Sequence, residues 1–130
     1  TTIILNNNNI KDAIDLLEKT RNKNKKIYSA LGELYKEQKD YKKAEEYYLK
    51  AIENGDHDTL NNLAWFYYEI GQKFDKAIYF VEKSLSIEKN NYNTHTLAIL
   101  LLVNEDFSKS YKNSFFQLTR YHTIISRYNF

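Results

Sequence analysis

The property that most constrains this chain is that it repeats itself. Tyr28-Ser29-Ala30-Leu31-Gly32-Glu33-Leu34-Tyr35 aligns with Leu60-Asn61-Asn62-Leu63-Ala64-Trp65-Phe66-Tyr67, 32 residues on. Asp40-Tyr41-Lys42-Lys43-Ala44 aligns with Lys73-Phe74-Asp75-Lys76-Ala77, 33 residues on, so the second copy carries one extra residue in its internal turn. A period of this size marks an array of supersecondary units, each of which covers its apolar face only by stacking on a neighbour.

Each copy reads as two helices. Tyr28, Leu31, Leu34 and Tyr35 recur at helical spacing, and after a polar break at Gln38 to Asp40 so do Tyr41, Ala44, Tyr48, Ala51 and Ile52. In the second copy Leu60, Leu63, Ala64, Tyr67 and Ile70 form one stripe, and Phe74, Ala77, Ile78, Val81 and Leu85 form the next. Gly55 and Gly71 follow the ends of two of these stripes, where a left-handed residue stops a helix. Gly32, Ala44, Ala51, Ala64 and Ala77 fall where paired helices must approach closely. The chain has no proline and only three glycines, so an all-α fold is expected.

These residues resemble the tetratricopeptide repeat, whose pattern is W-x2-L-G-x2-Y, then A-x3-F, then A and P, over about 34 residues. Residues 25–56 match it with Tyr28, Leu31, Gly32, Tyr35, Ala44, Tyr48 and Ala51, and Asp56 replaces the closing proline. Residues 57–91 match with Leu60, Leu63, Ala64, Tyr67, Ala77, Val81 and Ser84, with Lys89 at the proline position. The resemblance implies a right-handed superhelical stack of antiparallel hairpins, about seven helices in all, forming one domain over residues 1–130.

The flanks fit less well. Ile10, Ala13, Leu16, Leu17 and Thr20 suit the second helix of a preceding partial repeat (residues 1–24), with Ile3 to Leu5 ending its first helix. The chain is therefore expected to be a piece of a longer tetratricopeptide repeat protein. Downstream (residues 92–130), Leu97, Ala98, Leu101 and Phe107 take the leucine, small, tyrosine and turn-aromatic positions of a third repeat. Its second helix diverges: Ser110, Ser114 and Gln117 stand where Ala, Phe and Ala are usual. Phe107, Tyr111, Phe115, Leu118, His122 and Ile125 instead make one face of a long capping helix toward Arg127, as terminal repeats require.

Without cysteine, disulfides, thiolate metal sites and cysteine nucleophiles are excluded. The longest apolar run, Leu97 to Val103, is too short for a bilayer, and the start lacks the layout of a signal peptide. A soluble, cytoplasmic protein is expected. A formal charge of +2 falls short of the basic field of a nucleic-acid binder. The dense cluster Arg21, Lys23, Lys25 and Lys26 reads as a solvated connection whose cations favour a helix C-terminus. His57, His95 and His122 stand in no ligand or triad spacing, and the motifs H-E-x-x-H, G-x-S-x-G and a phosphate loop are absent. No enzyme and no cofactor are expected.

Carried onto this chain, the resemblance implies a concave groove lined by the first helix of each hairpin. Lys26, Ser29, Glu33, Lys36 and Glu37 would line it, then Asp58, Asn61, Asn62, Trp65, Tyr68 and Glu69, then His95 and Ile99. Trp65 and Tyr68, three residues apart, are of the types most enriched at binding hot spots. Some relatives clamp the terminal carboxylate of a chaperone with Lys, Arg and Asn. Here Asn62 suits one clamp position, but Ser29 and Glu33 occupy two others, which argues against an acidic tail. The expected function is non-catalytic binding of a peptide or protein segment by a monomer or weak homo-oligomer. The alternative is a structural or self-association segment using Phe115, Phe116 and Tyr121.

Overall fold

The computed structural model describes residues 7–109 together with 123, 124, 126 and 127. Among these residues every regular element is helical: α1 (Asn7–Glu18), α2 (Lys25–Glu37), α3 (Tyr41–Glu53), α4 (Asp58–Ile70), α5 (Phe74–Ile87) and α6 (Asn91–Lys109). The chain forms two compact units, Thr1–Thr59 and Leu60–Phe130. The expectations for Ile3 to Leu5, and for Ser110 to His122 and Ile125 of the capping helix, lie outside the described residues.

In the first unit α1 packs on α2 and α2 on α3. Leu31, Tyr35, Ala44, Tyr48 and Ala51 are buried between the last two, as their spacing predicts. The closest approach is at Gly32, where an added Cβ would stand 2.8 Å from Cδ1 of the Tyr48 ring. The basic connection behaves as expected at one residue. Lys23 Nζ donates to the carbonyls of Glu18 (2.8 Å) and Thr20 (3.0 Å), so a cation caps the C-terminus of α1.

α1 departs from the predicted stripe. Leu16 is 71% exposed, whereas Ile10 and Ile14 are buried. At about 100° per residue Leu16 lies about 120° around the helix from Ile10, so the buried side runs through positions 10, 13, 14 and 17. The helix also ends at Glu18, before Thr20.

Three helices end in the same way. After α2, Lys39 N–H donates to Lys36 O (2.9 Å) and Asp40 N–H to Tyr35 O (3.0 Å). After α3, Gly55 and Asp56 donate to Ile52 O and Ala51 O; after α4, Gly71 and Gln72 donate to Tyr68 O and Tyr67 O. Each is the paired Schellman closure around a left-handed residue, with φ of 63° at Lys39, 89° at Gly55 and 70° at Gly71. The extra residue of the second copy is thereby located. In the first hairpin Asp40 directly follows the left-handed residue and caps α3 by accepting from Lys43 N–H (3.3 Å). In the second, Gln72 intervenes, and Lys73 before α5 is itself left-handed and makes no side-chain cap.

In the second unit Leu60, Leu63, Ala64, Phe66 and Tyr67 of α4 are buried, as are Ala77 and Val81 of α5 and Leu97, Ala98 and Leu100 of α6. The rings of Tyr67 and Phe80 stack at 6.4 Å across α4 and α5, and α5 packs on α6. α6 runs unbroken to Lys109, through the turn expected at Phe107. No glycine or proline follows Gly71, so nothing in this stretch strains the helical backbone or removes a donor from it.

Candidate functional site

The residues expected to line the groove fall on three helices: Lys26, Ser29, Glu33, Lys36 and Glu37 on α2, Asp58, Asn61, Asn62, Trp65, Tyr68 and Glu69 on α4, and His95 and Ile99 on α6.

On α2 most of them already have partners in the fold. Tyr48 is wholly buried, and its phenol must find an acceptor. It donates to Glu33 Oε1 at 2.7 Å, and Lys36 Nζ pairs with Glu33 Oε2 at 3.3 Å. Ser29 Oγ accepts from the buried Thr59 hydroxyl at 3.1 Å. Lys26 lies 3.9 Å from Asp58, with both side chains largely exposed, a pair that water screens strongly. Glu33 thus supports packing, whatever else it meets.

On α4 the pattern is different. Leu63, Ala64, Phe66 and Tyr67 are buried, while Trp65 and Tyr68 are half-buried and Asn62 and Glu69 exposed. The three-residue spacing brings the Trp65 and Tyr68 rings to 4.9 Å, tilted by 46°. His95 of α6 adds a third ring, 6.4 Å from Trp65. The Asn61 amide oxygen is shut off from solvent and has no donor among the described residues.

α6 is held in place by an arrangement that the repeat pattern does not announce. Asn93 is fully buried. Its oxygen accepts from Asn90 N–H (2.9 Å), Asn90 Oδ1 accepts from Asn93 N–H (2.9 Å), and Asn93 Nδ2 donates to Ser84 Oγ (3.0 Å) and Glu88 O (2.7 Å). This reciprocal capping box ties the end of α5 to the start of α6, which carries His95. Its sequence signal is two Asn residues three apart just before a helical stripe.

A second cluster absent from the sequence reading joins α1, α2 and α3. Tyr47 stacks on Tyr35 (5.5 Å, within 2° of parallel) and on Tyr28 (6.2 Å), and its hydroxyl donates to Glu18. Lys43 lies over Tyr35 and Lys50 over Tyr47, 5.2 and 5.1 Å from the ring centroids. Burial first, and then the Glu18 hydrogen bond, pushes the Tyr47 phenol above its ordinary value; burial and the Glu18 charge do the same to Tyr35.

Residues 25–54, which hold α2 and α3, match the family model of the tetratricopeptide repeat. Residues 25–54 are a tetratricopeptide repeat. The matched span holds the Gly32–Tyr48 approach and the Schellman closure at Lys39, both of which the hairpin depends on. Tetratricopeptide repeats are typically non-catalytic modules that scaffold contacts between proteins, and this repeat suggests that role here. No curated protein matches the chain. Among the described residues of the chain, no helix is long and apolar enough to cross a membrane. Among the same residues, no group of three or more His, Cys, Asp or Glu is placed to hold a metal ion.

Proposed function

We propose that this protein binds an extended or helical segment of a protein partner, without catalysis, and that Trp65 and Tyr68 of α4 form the centre of the recognition surface with His95 of α6 beside them. The observation that carries this reading is the contrast along α4. Phe66 and Tyr67 are used up in the core, while the adjacent Trp65 and Tyr68 pack against each other at 4.9 Å and keep surface in reach of a ligand. Large aromatic side chains that are already partly ordered lose little freedom on binding and remove much apolar area from water. The α2 residues serve this reading less well, since Glu33 and Ser29 already answer buried hydroxyls.

The test uses peptides selected from a random display library on the full chain. Trp65→Ala and Tyr68→Ala are expected each to weaken their binding by at least about tenfold, the scale of a hot-spot truncation. Unchanged affinity, with the helical circular dichroism intact, would remove Trp65 and Tyr68 from the site.

A further inference from the structure

Between Thr1 and Thr59 the chain has no cysteine, methionine or tryptophan. The side chains of this unit that give up an electron most readily are therefore its tyrosines, Tyr28, Tyr35, Tyr41, Tyr47 and Tyr48. A phenol that loses an electron becomes a strong acid, and a base already within hydrogen-bond reach gives its proton a place to go.

Tyr47 donates to the carboxylate of Glu18 and Tyr48 to that of Glu33. The two places differ. Tyr48 is wholly buried, and Glu33 also pairs with Lys36, which makes it the poorer proton acceptor. Tyr47 is half-buried and Glu18 is exposed, so a proton taken there passes on to water. Two rings of α2 lie against Tyr47, Tyr35 at 5.5 Å and Tyr28 at 6.2 Å, and an electron vacancy on either has a short path to it. Among the described residues neither of those two rings has a carboxylate at its hydroxyl. Lys43 lies over Tyr35, and Lys50 lies over both Tyr28 and Tyr47. A ring that faces an ammonium holds added positive charge badly, which couples loss of the electron to loss of the phenolic proton.

The geometry points to Tyr47 as the residue where one-electron oxidation of this unit comes to rest, as a neutral tyrosyl radical whose proton passes to Glu18, and to a dityrosine link from it to Tyr28 that joins α3 to α2. One equivalent of a one-electron oxidant takes an electron from Tyr47 while its O–H bond breaks toward Glu18. A second equivalent takes an electron from Tyr28, which is half-buried and gives its proton to water. Both rings turn about their side-chain bonds to meet, and the two radicals form a carbon–carbon bond between ring positions ortho to the hydroxyls. The hydrogens at those positions move to the oxygens and restore both phenols. The oxidant gains two electrons, water gains two protons, and the chain is two hydrogens lighter. Trp65 and Tyr68 take no part, so this inference and the peptide-binding reading stand or fall separately.

The full chain, dilute enough to suppress links between molecules, is exposed to photogenerated tris(bipyridyl)ruthenium(III) with persulfate as the electron sink, then digested with trypsin and mapped by mass. The expected product is residues 27–36 joined to residues 44–50, with fragmentation placing the link at Tyr28 and Tyr47. Tyr47→Phe should abolish it and Tyr48→Phe should leave it. Glu18→Gln, with the helical circular dichroism unchanged, should lower the yield at least about tenfold. Added phosphate, acting as a base from solution, should restore that yield, which a merely structural role of Glu18 would not allow. A link to Tyr35 in place of Tyr28 would keep the radical at Tyr47 and overturn its partner. Links confined to Tyr41, Tyr79 or Tyr92, a link through Tyr48 that survives Tyr47→Phe, or a yield indifferent to Glu18→Gln would overturn the assignment of Tyr47.

Discussion

At Gly32 the backbone of α2 lies against the face of the Tyr48 ring, and an alanine methyl would stand 2.8 Å from that ring. Tyr48 has no room to retreat, being wholly buried and tied by its hydroxyl to Glu33. Gly32→Ala gains about 1 kcal/mol of helix propensity but overpacks the hairpin by about 1–3 kcal/mol. A net loss of about 1–2 kcal/mol is expected, read as a lower urea midpoint at unchanged slope. Asn93 is the second position where one side chain does work that no neighbour duplicates. Asn93→Ala leaves Asn90 N–H, Ser84 Oγ and Glu88 O without their partner, and a loss of about 2–3 kcal/mol is expected. The adjacent exposed Tyr92→Ala should stay within about 0.5 kcal/mol of the parent. Equal effects of the two substitutions would remove the network from the account of α6.

At the scale of elements, how each helix stops is worth as much as how it starts. Lys39 takes a left-handed conformation that costs an L-residue about 1–2 kcal/mol, where the equivalent position of the second hairpin has Gly71. Lys39→Gly should therefore raise stability by up to about 1 kcal/mol, since part of the relief is offset by the extra freedom glycine brings to the unfolded chain. Gly71→Ala should lower it by about the same, through backbone strain alone, because no heavy atom lies within 4 Å of the added Cβ. Thermal unfolding of the pair checks both signs. The tyrosine stack joining α1 to α2 and α3 makes a different prediction. Tyr35 and Tyr47 hold their protons above the ordinary phenol value, so their contribution is complete below about pH 10. Above that the unfolded chain releases protons that the native one retains, and stability falls as pH rises. Tyr47→Phe should flatten this alkaline loss in urea titrations taken at successive pH values. A slope identical to the parent's would detach the stack from the pH response.

At the scale of the whole molecule, the proposed recognition surface is built from α4 and α6 of a single chain and needs no second copy. Among the described residues, the exposed large apolar side chains Leu16, Tyr41, Tyr79, Ile87 and Tyr92 are spread over four helices. Scattered exposure of this kind is ordinary for a monomer, and a single monomeric boundary is expected in sedimentation at micromolar concentration. Much of the fold was legible in the sequence: the helical class, the two hairpins, the stops at Gly55 and Gly71, and the extra residue now placed at Gln72. Of the candidate site, the adjacency of Trp65 and Tyr68 was legible too, since three-residue spacing on one helix suffices for it. All of these are local, set by a period, a φ angle or a spacing within one or two turns, and a chain carries them wherever it folds. Tertiary structure alone decided the rest. It turned Leu16 outward, carried α6 through Phe107, engaged Glu33 with Tyr48 and built the Tyr28–Tyr47–Tyr35 stack. It also brought His95 of α6 to Trp65 of α4. Each of these depends on which side chains from distant positions compete for the same buried space or the same hydrogen-bond donor, and that competition exists only once the helices have packed.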